Sequence, residues 1–513
     1  MLRKNKLLIY LLLLLFISPA FFGLLHKGFF VSDDGNSMVI RFSAFYEALR
    51  NGQFPVRFLP RLNNQYGYPV ADFLYPLFMY IGVPIHLLKF SFVTTVKILF
   101  GSSLLLSAIF SFQWLQKRFS VWSAFVGATV YTLFPYHLFD IYKRGSLGEV
   151  LVLAIVPFIL LQIENDNFLF VSLGISLLIT AHNTLALLFL PVIVCYMLLK
   201  PVAYIKIIYT TCLSLGLSAF FWIPALYDKK FTIFDRTTVS DYATYFVSFS
   251  ENYILWIGIL IIVLISVYTV SKKQNAYAIF FLIVTFICIF FATLISLPFW
   301  RLLPLGVFVQ FPFRFLSVVI ISVSFLIAFL IDKTASNLKW INIIIILCIV
   351  YISAAGFIFP KRYQEYPDGY YSTNQGTTTV QNEYLPKWVR STPINAAKEK
   401  VALIQGKGKI GDVTGNGNTL HFNTNLQTSS IVQINTIYFP GWKIFSDGRE
   451  QEILYNNMHG LMQVVLPTGQ HTIVAKFGET PVRMLADMIS VLSILTLSIL
   501  GFLKVFAKKK KHL

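Results

Sequence analysis

An apolar stretch near the start of the chain and the acidic pair behind it decide how the whole sequence is interpreted. Residues 7–25 read LLIYLLLLLFISPAFFGLL, and residues 31–35 read VSDDG. The apolar stretch has 19 residues, which is enough for an α-helix to cross a bilayer. A signal peptide would have a shorter apolar core and a small-x-small cleavage site, whereas this stretch leads into further apolar stretches. We therefore predict an uncleaved first transmembrane helix with Asp33 and Asp34 at its outer end.

The rest of the chain repeats this apolar pattern. Of the 513 residues, 56% are hydrophobic and only 13% are charged, a composition that excludes a soluble enzyme. We predict twelve transmembrane helices, and the other eleven are 93–115, 121–138, 147–163, 168–181, 184–199, 203–224, 253–270, 277–297, 313–331, 340–358 and 485–506. The four cysteines all lie inside apolar runs, so we expect neither a disulfide framework nor a clustered cysteine metal site.

The formal net charge of +19 raises the question of a nucleic-acid partner, so the positions of the charges matter. With a cytoplasmic N-terminus, the short inner segments hold 16 basic residues against three acidic ones, Glu164, Asp166 and Asp332. This distribution satisfies the positive-inside rule and predicts that both termini are cytoplasmic. Because the basic residues are scattered over loops beside anionic lipid headgroups, we expect membrane lipids and no nucleic acid among the partners.

One shorter apolar stretch, residues 74–88, does not fit the count of spans. At about 1.5 Å per residue it reaches roughly 22 Å, short of the roughly 30 Å hydrocarbon core. It also contains Pro76 and Pro84, which disfavour a continuous helix. Counting it as a span would place Lys117 and the lysine tail outside, so we predict an interfacial or re-entrant helix.

Two larger segments face outward in this topology, the first outer loop 26–92 and residues 360–482. Alternating apolar patterns in the second segment predict short strands at 401–404, 430–438, 460–466 and 471–477. We therefore expect a C-terminal extracytoplasmic β-sandwich-like domain at 360–482. It would lie between a multi-span transmembrane domain at 1–359 and a last helix with a basic cytoplasmic tail at 483–513.

The first outer loop begins with a helical pattern. Apolar side chains recur at helical spacing from Met38 to Leu49, whereas Arg41, Glu47 and Arg50 fall on other faces. This pattern predicts an amphipathic helix that lies at the membrane surface. A turn of sequence Tyr-Gly-Tyr-Pro and the short apolar helix follow it.

The order of these features resembles a known superfamily of membrane enzymes. The acidic pair is followed by Phe45-Tyr-Glu-Ala-Leu-Arg-Asn-Gly-Gln-Phe-Pro55 and then by Tyr75-Pro-Leu at the second surface helix. This order resembles the GT-C superfamily of polyprenyl-phosphate-sugar-dependent membrane glycosyltransferases. The resemblance implies a polytopic α-helical GT-C-like fold, with about twelve transmembrane helices, interfacial helices and the β-rich domain before the last helix.

Four further motifs resemble a narrower branch of that superfamily. They are Tyr66-Gly-Tyr-Pro69, Tyr142-Lys-Arg-Gly-Ser-Leu-Gly-Glu149, Ala181-His-Asn183 and Tyr438-Phe-Pro-Gly-Trp-Lys443. These motifs are similar to the bacterial branch known as 6-pyruvoyl-tetrahydropterin-synthase-related membrane proteins. The sequence has no zinc-binding histidine cluster that would support pterin chemistry. The likeness runs over nearly the whole chain.

The resemblance implies a catalytic carboxylate at the outer end of the first helix. In such enzymes this carboxylate accepts a proton from the acceptor hydroxyl, or orients it, as the hydroxyl attacks the anomeric carbon and a polyprenyl phosphate leaves. Asp33 and Asp34 are the catalytic candidates, with Asp33 preferred. The alternative is that the Asp-Asp-Gly turn only caps the helix that follows.

The leaving phosphate needs cations near helix ends on the outer side. The candidates for binding the donor phosphate are Lys143, Arg144, His182, Arg57, Arg61 and Arg314. Lys143 and Arg144 stand out because they break the positive-inside pattern in a short outer loop. A basic residue beside a span can instead be an interfacial anchor, and His182 with Asn183 can instead form a turn.

A second set of polar residues is assigned to the sugar or the acceptor. These candidates are Glu149, Asn183, Asp72 and Tyr68. Glu149 can instead neutralise Arg144. Three aromatic residues of the β-rich segment, Tyr438, Trp442 and Tyr455, can stack on sugars, but we expect them in a sandwich core.

We therefore expect an inverting glycosyltransferase of the GT-C type, transferring a hexosyl or related sugar at the outer face of a bacterial cytoplasmic membrane. It would move the sugar from a polyprenyl-phosphate monosaccharide to a cell-envelope glycopolymer or lipid, with a donor synthase and a flippase as further partners. No cofactor is required, and the alternative of Mg²⁺ or Mn²⁺ at the acidic pair is not supported, because two adjacent carboxylates without a further cluster make a poor site. The alternatives are a flippase or exporter, or a non-catalytic assembly protein, for lipid-linked envelope polysaccharides.

Overall fold

The computed structural model describes residues 2–237, 241–249 and 253–510. The longer helices are Leu2–Ile17, Gly35–Arg50, Leu77–Leu87, Phe92–Leu115, Val121–Leu133, Leu147–Glu164, Phe168–Ala181, Asn183–Leu199, Tyr204–Leu217, Ala219–Asp228, Tyr253–Lys273, Ala276–Ala292, Leu316–Lys333, Ser336–Ile358 and Pro481–Lys510. Shorter helices are Phe22–Leu25, Pro135–Phe139, Leu297–Leu302, Leu305–Phe308 and Asp368–Thr373. Apart from Phe29–Phe30, the strands of the described residues lie between the last two long helices.

Several helices have the length and apolarity of membrane spans. Within the described residues seven helices qualify, or up to nine if each of two bent helix pairs counts as one span. Tyr204–Leu217 and Ala219–Phe231 meet at a bend of 69°, and Ala276–Ala292 and Leu294–Leu302 meet at a bend of 77°. The chain is therefore a multi-pass membrane protein, and the number of twelve spans stays a prediction.

Three predicted spans stop or bend earlier than their apolar patterns indicated, and one of them is the span predicted at 277–297, whose first helix ends at Ala292. The span predicted at 121–138 ends as a helix at Leu133, because Phe134 precedes a proline and takes an extended conformation with ψ of 132°. The span predicted at 203–224 bends at Ser218, whose hydroxyl donates to the Ser214 carbonyl. Such a side-chain bond to the preceding turn often bends a helix.

The first loop packs inside the protein more deeply than predicted. The short helix Leu77–Leu87 has 11 residues, in agreement with a segment too short to span the bilayer. The helix Gly35–Arg50 packs against it, against Phe92–Leu115 and against Asp368–Thr373. Even Arg41 is buried there. A segment more than 300 residues away in sequence folds onto the helix beside Arg41 and Ser43, whereas Glu47 and Arg50 stay exposed as predicted for the polar side.

Residues 401–477 form two antiparallel sheets. The first has the strand order Leu461–Leu466, Ser430–Ile437, Val401–Gln405. The second has the order Gly408–Ile410, Thr419–Leu426, Gly469–Phe477, Trp442–Ser446, Arg449–Gln451, with Thr414–Gly415 beside Thr419–Leu426. Burial alternates along these strands, as expected of sheets with one covered face. The four strands predicted from alternation are confirmed, and a C-terminal β-rich region precedes the last helix.

The β-rich region is tied to the start of the chain. Strand Phe29–Phe30 pairs with strand Tyr363–Gln364 in antiparallel register. The helices and both sheets also belong to one continuous cluster of buried apolar side chains. This arrangement brings the segment that enters the β-rich region next to the acidic pair of the first loop.

Candidate active site

A cavity of about 1150 Å³ lies where the first loop meets residues 134–144, 179–190, 307–316 and 378–384. Its charged and polar lining includes Asp33, Asp34, Arg41, Lys143, Arg144, His182, Asn183, Gln310, Arg314 and Glu383. The acidic pair and both cations of the Tyr-Lys-Arg-Gly motif therefore share one cavity, although about 110 residues separate them in the chain.

Backbone hydrogen bonds fix the acidic pair beside the two cations. The Asp33 N–H donates to the Lys143 carbonyl at 2.9 Å, and the Asp34 N–H donates to the Arg144 carbonyl at 2.8 Å. Gly145 follows with φ of +66°, and a Cβ there would lie only 2.5 Å from the Ser32 hydroxyl. Only glycine allows this close approach, so the motif Arg-Gly is needed for the two segments to meet.

The side chains of the acidic pair face the cations rather than the following helix. Asp34 precedes the helix Gly35–Arg50, yet its side chain makes no capping hydrogen bond. Its Oδ2 lies 3.2 Å from Nη2 of Arg144, and Oδ1 of Asp33 lies 3.6 Å from Nζ of Lys143. The Asp33 side chain is 50% exposed and that of Asp34 is 37% exposed. The capping alternative therefore does not describe Asp34, and both carboxylates are accessible from the cavity.

Glu149 organises the cations from behind the cavity. It is fully buried, and its Oε1 lies 3.0 Å from Nε of Arg314, 3.8 Å from Nη2 of Arg144 and 3.6 Å from Nε2 of His182. The Tyr136 hydroxyl donates to its other oxygen at 3.3 Å. Glu149 is not among the residues that line the cavity, so its contacts fit the alternative in which it pairs with Arg144.

Burial shifts the pKa of two titratable groups near Glu149 toward their neutral forms. Burial lowers the pKa of His182 to about 3, and its Nδ1 accepts from the Leu185 N–H at 3.3 Å. The ring proton therefore sits on Nε2 and is directed at Glu149. Burial, reinforced by Glu149, raises the pKa of Asp140 well above its usual range. The positive charge of the site consequently comes from lysine and arginine alone.

The guanidinium group of Arg144 is held by aromatic rings as well as by carboxylates. Its central carbon lies 5.2 Å from the ring centroid of Phe311 and 5.1 Å from that of Phe313. Arg314 lies 5.0 Å from the same Phe311 ring, and its Nη1 donates to Gln310. These contacts orient both cations before a ligand binds.

Two residues assigned to the site lie elsewhere. Arg57 is buried, with Nη2 at 2.9 Å from Asp487, Nε at 3.4 Å from Glu479 and Nη1 at 3.5 Å from Asp72. Asp72 is fully buried between Arg57 and Arg483. Neither Arg57 nor Asp72 lines the cavity, so their assignment to donor phosphate and acceptor is corrected. They join the first loop to the last helix.

Two other assigned residues hold a neighbouring segment. Arg61 donates to Glu47 at 2.7 Å and to the Asn374 carbonyl at 3.1 Å. The Tyr68 hydroxyl contacts Oγ1 of Thr379 at 2.9 Å and accepts from the N–H of Tyr384 at 3.1 Å. Neither Arg61 nor Tyr68 lines the cavity. Their proposed roles in binding phosphate or sugar are therefore corrected to support of the chain at 371–384.

The remaining assigned residues divide between the cavity and the β-rich region. Asn183 lines the cavity, and its side chain accepts from the Thr184 N–H at 3.0 Å, as in the turn alternative. Trp442 is buried, as expected for a core residue. Tyr438 and Tyr455 are only partly buried and stack on each other with ring centroids 4.2 Å apart.

Arg41 is a cavity residue that the sequence analysis missed. It lines the cavity although it is only 4% exposed, and its Nη2 donates to the Thr378 carbonyl at 2.6 Å. The available signal was a basic residue between the apolar neighbours Ile40 and Phe42 in the helix that follows the acidic pair. The cavity residues at 378–384 carried no motif that could have identified them.

A metal-binding cluster is absent from the described part of the chain. Among residues 2–237, 241–249 and 253–510, no group of three His, Cys, Asp or Glu side chains could hold a metal ion.

Two solved structures show weak similarity to this chain. One is the crystal structure of the Archaeoglobus fulgidus oligosaccharyltransferase in the apo form, with 11% identity, a TM-score of 0.44, and coverage of 72% of this chain and 56% of that one. The other is the oligosaccharyltransferase AglB from the same archaeon in complex with an inhibitory peptide and a dolichol-phosphate, with 10% identity, a TM-score of 0.43, and coverage of 73% and 56%. This chain therefore spans little more than half the length of either protein. No protein-family model matches the sequence, and neither does a curated protein.

Proposed function

We propose that this protein is an inverting membrane glycosyltransferase of the GT-C type that takes its sugar from a polyprenyl-phosphate monosaccharide. The observation that carries the proposal is the shared cavity, in which the half-exposed Asp33 lies beside Lys143 and the neighbouring Asp34 lies beside Arg144. A carboxylate with room to accept a proton, next to cations that can bind a phosphate, is what such a transfer requires.

The reaction follows from these groups in a single displacement. The acceptor hydroxyl oxygen attacks the anomeric carbon and forms the new glycosidic bond, while Asp33 takes the hydroxyl proton. The bond from the anomeric carbon to the phosphate oxygen breaks, and its electron pair leaves with the polyprenyl phosphate. Lys143, Arg144 and Arg314 stabilise the negative charge of this leaving group. Attack opposite the leaving group inverts the configuration of the anomeric carbon.

The two aspartates have different roles in this proposal. Asp34 is bound to Arg144 at 3.2 Å and keeps that cation in place. Asp33 has the longer contact, 3.6 Å to Lys143, and the larger exposed fraction. Asp33 is therefore the better proton acceptor, because its oxygens are less committed to a cation.

A second cavity supports a lipid-linked donor. It has a volume of about 550 Å³, lies between membrane helices and is lined mainly by apolar side chains from Tyr253–Lys273, Leu316–Lys333 and Ser336–Ile358. Phe134, Leu255 and Ile259 line both cavities, so the apolar cavity adjoins the charged site. A polyprenyl chain has the apolar surface to fill such a cavity.

The chemistry of the donor indicates which partner proteins and which side of the membrane the reaction involves. A polyprenyl-phosphate sugar is made by a donor synthase and brought across the membrane by a flippase. We place the reaction on the outer face of a bacterial cytoplasmic membrane, with a cell-envelope glycopolymer or lipid as the acceptor. Both termini are cytoplasmic in this proposal, in accordance with the distribution of basic residues.

The proposal is tested with purified protein, radiolabelled polyprenyl-phosphate sugars and envelope extracts. Wild-type protein is expected to transfer label to a component of the extract. Replacing Arg144 by alanine removes a charged hydrogen-bond donor, and we expect undecaprenyl phosphate to bind about 10- to 100-fold more weakly. Equilibrium binding of labelled undecaprenyl phosphate measures this change.

Arg390→Ala is the matched control, because Arg390 is exposed and contacts Asn456 in the β-rich half of the chain. It should bind undecaprenyl phosphate as the wild type does. Absence of transfer by the wild type with every sugar tried would contradict the proposal. Movement of the lipid-linked sugar across vesicles without transfer would instead support the exporter.

A further inference from the structure

One part of the cavity lining has no role in the cleavage of the donor. Its residues belong to the segment 378–384, which precedes the β-rich region and is called the entry segment below. Val380 is 94% exposed and Gln381 is also exposed, although both line the cavity. The entry segment therefore stands where the cavity opens to solvent.

The first loop holds the entry segment in place. Arg41 donates from Nη2 to the Thr378 carbonyl at 2.6 Å and from Nε to the Thr378 hydroxyl at 3.2 Å. The Tyr68 hydroxyl contacts the Thr379 hydroxyl and accepts from the Tyr384 N–H. Bonds at both ends of the segment order it before a ligand arrives, which lowers the entropic cost of binding.

Ring stacking fixes the far end of the segment. The Tyr384 ring stacks on Phe73 with centroids 5.0 Å apart and an angle of 6° between the planes. The same ring also stacks on Phe234, with ring centroids 5.6 Å apart. Because Tyr384 is buried, its neighbour Glu383 is held at the cavity instead of moving freely with a loop.

The charge of the entry segment differs from that of the cation cluster. Glu383 lines the cavity, and its Oε2 accepts from the Gln381 N–H at 3.3 Å. A carboxylate repels a phosphate, whereas Lys143 and Arg144 attract one. A carboxylate and a carboxamide can together accept and donate hydrogen bonds to neutral hydroxyl groups. Glu383 and Gln381 therefore give the cavity a part suited to hydroxyl groups, and the charge of Arg41, which also lines the cavity, is directed at Thr378 of the same segment.

We propose that Glu383 and Gln381 bind the hydroxyl groups of a neutral glycan, with Arg41 and Tyr68 as positioning residues for the entry segment. Within the proposed function this glycan is the acceptor, and its hydroxyl approaches Asp33 from the solvent side. The identification as acceptor rests on that proposed function. The binding of a neutral glycan at Glu383 does not depend on it.

The experiment measures two ligands separately on the full-length protein in lipid nanodiscs. Maltopentaose is the neutral glycan probe, and farnesyl phosphate is the probe for the cation cluster. Glu383→Gln is expected to weaken maltopentaose binding about tenfold, the effect of one hydrogen bond to a charged group. Farnesyl phosphate should bind to this variant as it does to the wild type. Glu450→Gln, in an exposed strand of the β-rich region, should change neither affinity.

Tyr68→Phe tests the positioning role. It removes the hydroxyl that holds Thr379 and Tyr384 but keeps the ring. Maltopentaose should bind more weakly while the affinity for farnesyl phosphate stays unchanged, although the loss of this buried hydroxyl lowers the unfolding temperature. A residue with only a structural role would weaken the binding of both ligands together.

Three results would overturn the inference. The first is that maltopentaose does not bind the wild type, and the second is that its affinity is unchanged in Glu383→Gln. The third is that a neutral peptide of similar mass binds the wild type instead of maltopentaose and no longer binds Glu383→Gln. Failure of the proposed function gives a different pattern. In that case farnesyl phosphate binds equally to wild type and Arg144→Ala, while maltopentaose binding still depends on Glu383.

Discussion

Replacement of Asp33 by asparagine is expected to lower the turnover number for sugar transfer by a factor on the order of 10² to 10⁴, the range that one general base contributes. Asparagine has nearly the same shape, and the backbone bond from residue 33 to the Lys143 carbonyl stays available. The amide is not basic enough to take the acceptor proton. The measurement is the rate of labelled sugar transfer from a polyprenyl-phosphate donor at saturating donor and acceptor.

Asp34→Asn tests whether Asp34 acts as the base or only holds Arg144 in place. We expect this variant to raise the KM for the donor, because the 3.2 Å contact with Arg144 loses its charge. Asp412→Asn is the control, because Asp412 is an exposed carboxylate in the β-rich region. Wild-type turnover in Asp33→Asn together with loss of turnover in Asp34→Asn would move the base to Asp34. Wild-type turnover in both variants would exclude the acidic pair from the reaction.

The periodicity of the sequence accounts for much of the fold. The pattern at 430–438 alternates apolar and polar residues, and a strand with one buried face requires that alternation. The strand Thr419–Leu426 was missed because Asn, Thr and His separate its apolar residues, so its composition is typical of a loop. Helix bends were missed for a related reason. A bend at Ser218 depends on one side-chain bond and leaves no trace in the apolar pattern.

Only the resemblance to the superfamily, which rests on the order of the motifs, predicted that the acidic residues lie near the Tyr-Lys-Arg-Gly turn. Charge and predicted topology placed Arg57 and Arg61 on the same side as Arg144, but they could not identify partners. The carboxylates that bind Arg57 include Asp487, which is 430 residues away in the chain. Contacts at such separations depend on how the last helix packs, and a single sequence does not record this.

Replacement of Arg483 by alanine is expected to destabilise the protein by about 3–5 kcal/mol, the cost of leaving buried charges without their partner. Arg483 is fully buried, its Nε donates to Asp228 at 2.8 Å, and its Nη2 lies 3.5 Å from Asp72. Its Nη1 also donates to the Pro440 carbonyl at 2.9 Å. Alanine would leave both carboxylates buried without this cation. The fall in free energy of unfolding is measured by denaturant titration in detergent micelles.

A double-mutant cycle distinguishes the contribution of the Arg483–Asp228 ion pair from the effect of the lost side-chain volume. Arg483→Met with Asp228→Asn removes both charges and is expected to cost less than the sum of the single changes. Lys443→Ala is the control, because its pair with Glu450 is half exposed, and it should cost at most about 1 kcal/mol. An equally small effect of Arg483→Ala would mean that this network does not hold the last helix to the first loop.

The same variant connects stability to the site. Asp72 immediately precedes Phe73, and both Phe73 and Tyr75 line the cavity, so a displaced Asp72 moves one side of the site. Arg483→Ala should therefore lower sugar transfer even at temperatures where the protein stays folded. If folded Arg483→Ala protein transfers sugar at the wild-type rate, the network only stabilises the fold, and the cavity keeps its shape without it.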